Sequence, residues 1–181
     1  MPSAFSHAVV AIAGSKIVRP NHSFWKLCLL AIFCAVIPDA DVLGFKMGVP
    51  YESMFGHRGF THSLFFSFLL GLFINLIFYR NLSLFSRKWW AYCLFFTAIT
   101  FSHALLDAMT NGGRGCAFFA PFSAERYFFP FRPINVSPLG ISRFFTQWGW
   151  RAFKSELIWV WIPSIVLVGI FQLQKMLKNR S

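Results

Sequence analysis

The run Ser63-Leu-Phe-Phe-Ser-Phe-Leu-Leu-Gly-Leu-Phe-Ile-Asn-Leu-Ile-Phe-Tyr79 contains no charged residue. At roughly 1.5 Å of rise per residue, a helix of this length approaches the hydrocarbon thickness of a bilayer, about 30 Å. Two further runs have the same character, Trp89 to Leu106 and Leu157 to Leu173. The chain of 181 residues is 56 % hydrophobic and only 13 % charged, too apolar for an ordinary soluble fold, so the excess must face lipid. Two shorter apolar stretches precede these runs, Ala4 to Ala13 and Leu27 to Ile37. Each is too short to cross alone, and together they read as a helical hairpin packed on the longer helices or as a re-entrant pair. The expected fold is all-α: one integral membrane helical bundle over residues 1–181, with three long transmembrane helices and a shorter N-terminal hairpin.

The opening Met-Pro-Ser-Ala-Phe-Ser-His lacks the basic start of a signal peptide, so the N-terminus is expected to be retained. Cys28, Cys34, Cys93 and Cys116 show no CxxC spacing and read as buried thiols. A formal charge of +11 would suggest nucleic acid in a soluble protein; here the question is which membrane face carries it. Arg80, Arg87, Lys88, Lys175, Lys178 and Arg180 share one side, joined by Lys16, Arg19 and Lys26 if the hairpin crosses. No acid accompanies them, whereas the other eight basic residues lie in two longer loops holding all six acids. The positive-inside rule makes the acid-free side cytoplasmic, together with the C-terminus, and turns the opposite face outward from an inner membrane.

The outward face collects the groups that carry chemistry. His103 and Asp107, four residues apart at the end of an apolar helix, lie on one side of it and can share a metal. In Gly56-His57-Arg58-Gly59-Phe60-Thr61-His62-Ser63, Thr61 could cap the following helix and place His62 in its first turn. On a continuous helix His57 would point about 140° away from His62, but Gly56 and Gly59 favour a bent loop in which either imidazole turns inward. Ile37-Pro38-Asp39-Ala40-Asp41 brings two carboxylates to the same depth, where ionisable groups cost about 2.5–3.5 kcal/mol each and need partners. His7 begins the first apolar stretch on this face, while His22 in the basic turn reads as an ordinary surface histidine.

The expected metal ligands are therefore His7, Asp39, His62, His103 and Asp107, with Asp41, His57 and Arg58 as catalytic or supporting groups. Mixed imidazole and carboxylate ligands suit a divalent metal, zinc first, with manganese or magnesium also compatible. Such a site lowers the pKa of bound water to about 7 and serves hydrolysis most directly. Arg58 could pair with a phosphate or carboxylate, or snorkel to the headgroups. The aromatic and basic segment 114–154 belongs at the lipid interface and could roof the site, which suits a small-molecule or lipid-linked substrate. Base stacking on nucleic acid uses the same residue types and is the weaker reading. Nothing in the sequence sets an oligomeric state.

These motifs resemble the LexA-regulated, membrane-bound metal-dependent hydrolase family, also called YdjM-like. The likeness rests on His7, on Pro38-Asp39-Ala40-Asp41, on the octapeptide Gly56 to Ser63, and on His103 to Asp107 followed by Thr110. It covers about the first two thirds of the chain, the octapeptide being its specific part, and it implies a metal site and a hydrolase. A fainter similarity, in the order His7, Asp39, His62, His103, Asp107, is to the zinc-dependent phospholipases C and implies phosphodiester hydrolysis. Those enzymes also use an N-terminal Trp and further His and Glu ligands, and no histidine follows His103 here. Two other functions fit the same cluster: a membrane binding or transport protein handling a cation or protons, and a purely structural membrane component.

Overall fold

Small polar side chains set the helix starts. Ser23, Ser63 and Ser86 each accept a hydrogen bond from the backbone N–H three residues on, and each is followed by a helix. In the computed structural model, which describes residues 1–18, 23–138 and 145–179, the helices are α1 (Ala4–Val18), α2 (Phe24–Val36), a short α3 (Leu43–Lys46), α4 (Leu64–Phe78), α5 (Arg87–Ala108), α6 (Gln147–Glu156) and α7 (Ile162–Lys178). The side chains of Phe45 and Lys46 lie outside this description, as do His22 and the charges Arg19, Arg143 and Arg180. Among the described residues there is no β-strand, only isolated bridges joining Thr110 to Ile134 and Cys116 to Tyr127.

Prolines shape two of the helix ends. Pro38 has no N–H to continue α2, and the chain tightens into a 3-10 segment over Ile37–Val42. Pro163 would collide with the carbonyl four residues earlier in a regular helix; the chain widens instead into a π turn at Leu157–Trp161, which carries α6 directly into α7.

The lengths differ from expectation in one respect. α5 has 22 residues, and α6 to α7 form one helix of 32, both long and apolar enough to cross a membrane. The expected span Ser63 to Tyr79 forms a helix of only 15 residues, about 22 Å long, as does α1. Ser63 is consumed as the cap of α4, and Tyr79 leaves helical geometry at φ −125°. Both short helices nevertheless run alongside α5. At the far end of α4, Lys26 Nζ of α2 donates to the Phe78 carbonyl (2.6 Å), Tyr79 stacks on Tyr92 and Asn75 donates to the Trp89 carbonyl (2.8 Å). The N-terminal hairpin is present as α1 and α2, antiparallel, since His7 at the start of α1 and Ala35 at the end of α2 both touch His103.

Burial separates the helices by role. α5 is central, packed by α1, α2 and α4, and its buried face includes Phe96, Ile99 and His103. α7 has no buried residue, and Ile165, Leu167 and Leu173 are each more than half exposed, an arrangement suited to hydrocarbon rather than water. All four cysteines are buried free thiols.

Gly71 lets α4 approach α5: a Cβ there would fall 2.5 Å from Thr97 Oγ1 and 2.8 Å from the Cys93 carbonyl. Gly71→Val is expected to destabilise the bundle by about 1–3 kcal/mol through overpacking. The effect should appear as a lower thermal unfolding midpoint in detergent. Gly169→Ala, whose Cβ would meet nothing within 4 Å, should leave that midpoint unchanged.

Candidate metal centre

α5 supplies two groups from its last turns. His103 and Asp107 are both fully buried, one helical turn apart on one face. His103 Nδ1 lies 2.7 Å from the Ala35 carbonyl. A carbonyl only accepts, so Nδ1 carries the proton and Nε2 presents a lone pair. In a 3-10 turn the donor to that carbonyl would be residue 38, a proline with no N–H, so the carbonyl has capacity for His103.

His62 is held in the same sense from the other side. Its Nδ1 lies 3.2 Å from Asp41 Oδ2 and 3.0 Å from Thr61 Oγ1. Asp41 is already well served: His57 Nδ1 lies 2.7 Å away, the Arg58 N–H donates at 3.0 Å and the Thr61 hydroxyl at 2.7 Å. The loop bends around this carboxylate. Arg58 adopts φ 62°, in the left-handed region, and a Cβ on Gly59 would sit 2.1 Å from the Met54 carbonyl. Burial alone would raise the Asp41 pKa, but hydrogen bonds from His57 and His62 outweigh it and hold the carboxyl below its usual range. Burial alone would lower the His62 pKa; the Asp107 and Asp41 carboxylates reverse this and hold it up at about 9.

The two Nε2 atoms of His62 and His103 face each other at 3.1 Å. Two imidazoles on one tetrahedral ion, at about 2.0–2.1 Å each, would place their nitrogens roughly 3.3 Å apart. Asp39 Oδ1 lies 3.3 Å from His103 Nε2 and 3.9 Å from His62 Nε2, and Asp107 Oδ2 lies 3.5 Å from His62 Nε2. Ligand atoms of these four residues all fall within 4.8 Å of one another. His7 stands beside them, stacked on His103 with ring centroids 3.8 Å apart and Nε2 3.8 Å from Asp107 Oδ1. Both nitrogens of His7, both carboxylate oxygens of Asp39 and Asp107 Oδ1 are buried without a hydrogen bond, while Asp107 Oδ2 meets the Arg58 guanidinium. Nitrogens this close need a proton or a cation between them; the raised His62 pKa supplies a proton there in the metal-free protein, and a divalent ion, which the neighbouring carboxylates also suit, would take its place.

The remaining expected site residues lie around this core rather than in it. Asp41 and His57 form a group with His62 on its Nδ1 side. Arg58 is buried with its guanidinium occupied: Nε is 2.8 Å from Asp107 Oδ2, Nη1 donates to the Gly112 carbonyl (2.9 Å) and Nη2 to Thr110 Oγ1 (3.2 Å). It balances Asp107 from within and does not snorkel. The helix cap is Ser63, not Thr61, whose hydroxyl turns to Asp41; His62 therefore precedes α4 in a 3-10 turn.

Sequence reasoning missed Arg126 and Glu156. Arg126 donates to the carbonyls of His57, Tyr51 and Ser53, bracing the His57 loop from the aromatic segment. Glu156 is fully buried at the start of an apolar helix, a placement that should itself have marked it, because isolated acids beside a span usually have a partner.

The chain is 43 % identical over 178 residues to the inner membrane protein YbcI of Escherichia coli (strain K12), covering 94 % of this chain and 96 % of that protein. No solved structure matches. The family described as YdjM inner membrane protein matches residues 2–177, so the match takes in every residue of the His and Asp cluster as well as α6 and all but the last residue of α7. The chain thus belongs to the YdjM inner membrane protein family.

Proposed function

We propose that the protein is a multi-pass inner-membrane hydrolase, a single membrane-embedded domain that depends on one or two divalent metal ions, zinc first among them. The observation that supports this best is the pair of Nε2 atoms 3.1 Å apart, each oriented by a partner on its Nδ1, beside two carboxylates with unsatisfied oxygens. His62, His103, Asp39 and Asp107 would hold the ion, with His7 completing the site or binding a second ion. Bound there, a divalent metal supplies Lewis acidity and lowers the pKa of water to about 7, giving a nucleophile at neutral pH.

The chain's own residues do the rest. Ala35 and Asp41 keep the imidazoles in the ligating tautomer, the support that metal-bound histidines ordinarily need. Arg58 orients Asp107 through Nε. His57, hydrogen-bonded to Asp41, is the group placed to exchange protons through that carboxylate. Asp39 is the ligand whose side chain retains some exposure, 11 %, so substrate enters on its side. Exposed Phe119, Phe122, Phe131 and Trp148 in segment 114–154 suit a substrate carried by lipid, and a phosphoester is the class that the metal chemistry serves. The ends bearing Lys16, Lys26, Lys175 and Lys178 face the cytoplasm, and the metal centre faces away from it.

Purified protein loaded with zinc is expected to hydrolyse phosphodiester or phospholipid substrates, to lose turnover in chelator and to regain it on zinc addition. If the loaded protein leaves these substrates intact but carries a divalent cation or protons across vesicle membranes, the cluster serves transport and the hydrolase reading fails.

A further inference from the structure

His7 differs from the other histidines of the centre in one respect: no hydrogen bond holds its ring. Its aim toward Asp107 rests on the stack with His103 and on where the backbone of α1 lies. The first turn of α1 is fixed by Glu156, 153 positions after Ser3 and 150 after Ser6. Glu156 Oε1 accepts the Ser3 N–H at 2.7 Å, and Oε2 accepts the hydroxyls of Ser3 (2.5 Å) and Ser6 (2.6 Å). Trp161 Nε1 donates to the same Ser6 hydroxyl at 2.9 Å. All these partners are hydroxyls or backbone, and among the described residues Glu156 forms no ion pair.

A buried carboxylate without a cation is costly unless its donors are well placed. Here they are the otherwise unpaired N–H at the start of a helix and two hydroxyls beside it, where a negative charge also meets the positive end of the helix dipole. The carboxylate thus clamps α1 to the lipid-facing helix, and Ser6, its nearer anchor, immediately precedes His7. We propose that Glu156 is a positioning residue that sets the approach of His7 to the metal centre from the junction of α6 and α7. The role in metal binding rests on the metal reading above; the effect on the His7 ring does not.

The test uses full-length protein in detergent micelles, with ¹⁵N-labelled histidine, and zinc titration of the wild type, Glu156→Ala, His7→Ala and the double variant. In metal-free protein, Glu156→Ala should shift the ring signals that His7→Ala removes and leave those of His57 in place. Zinc affinity should fall by about the same factor in both single variants, roughly 10- to 100-fold, and no further in the double variant. A generally structural role would instead lower thermal stability and give additive losses. Unmoved His7 signals, or additive losses, overturn the proposal. Should Glu156→Ala fail to fold, Ser6→Ala and Glu156→Gln, each of which removes only part of this set of contacts, must shift the same signals, and unmoved signals there overturn it equally. If the wild type binds no zinc while the His7 signals still respond, the metal reading fails and the positioning role stands.

Discussion

His103→Ala protein, expressed with supplemented zinc and purified in detergent, is expected to bind the ion at least about a hundredfold more weakly than wild type. Loss of an outer support alone costs 10- to 100-fold at metal sites, and His103 is a direct ligand in the proposed centre. Its Nε2 lies 3.1 Å from His62 Nε2 and 3.3 Å from Asp39 Oδ1, so its removal opens the middle of the cluster. The side chain is fully buried and its Nδ1 is fixed to the Ala35 carbonyl at the end of α2. Elemental analysis beside circular dichroism separates loss of metal from loss of helix. Equal metal content in the two proteins, or negligible metal in both, would remove the centre altogether.

Much of this cluster could be read from the sequence because it obeys local rules. The four-residue spacing of His103 and Asp107 places them on one helix face, and the glycines around His57 announce a bend. Pro38 ahead of Asp39 marks a helix end at which polar groups gather. What could not be read depends on long-range pairing. Arg58 looks like a substrate clamp in sequence, yet a left-handed φ and three acceptors from Asp107, Thr110 and Gly112 turn it inward. Ser63 and Thr61 are equivalent candidates for the cap until Asp41 takes the threonine hydroxyl. The expected span at Ser63 to Tyr79 counted residues that end as cap and turn, so its helix is shorter than its apolar run. Glu156 is marked only as an acid at the start of an apolar run; its partners Ser3 and Ser6, far back in the chain, could not be read.

Asp107→Ala should be the most destabilising single change in the cluster, costing about 3–5 kcal/mol in the metal-free protein. The reason is what it leaves behind. Arg58 is 1 % exposed and Asp107 fully buried, with Nε and Oδ2 at 2.8 Å, so truncating the acid strands a guanidinium away from water. Relief of repulsion among Asp39, Asp41 and Asp107 acts in the opposite direction, but Asp107 has Arg58 as its nearest charge and the His62 Nε2 at 3.5 Å. Attraction at these distances in a buried site outweighs the repulsion. Asp39→Ala offers the control: it removes a proposed ligand whose carboxylate, among the described residues, forms its ion pairs with imidazoles and whose side chain is partly exposed, so it should lose metal with a smaller loss of stability. The two effects can be told apart by chemical denaturation of the metal-free variants in micelles. Comparable stability in Asp107→Ala and Asp39→Ala would mean that the Arg58 pair contributes nothing net. Partial recovery in the Arg58→Met, Asp107→Ala double variant would instead locate the penalty in the stranded cation, because that variant no longer has a charge to bury.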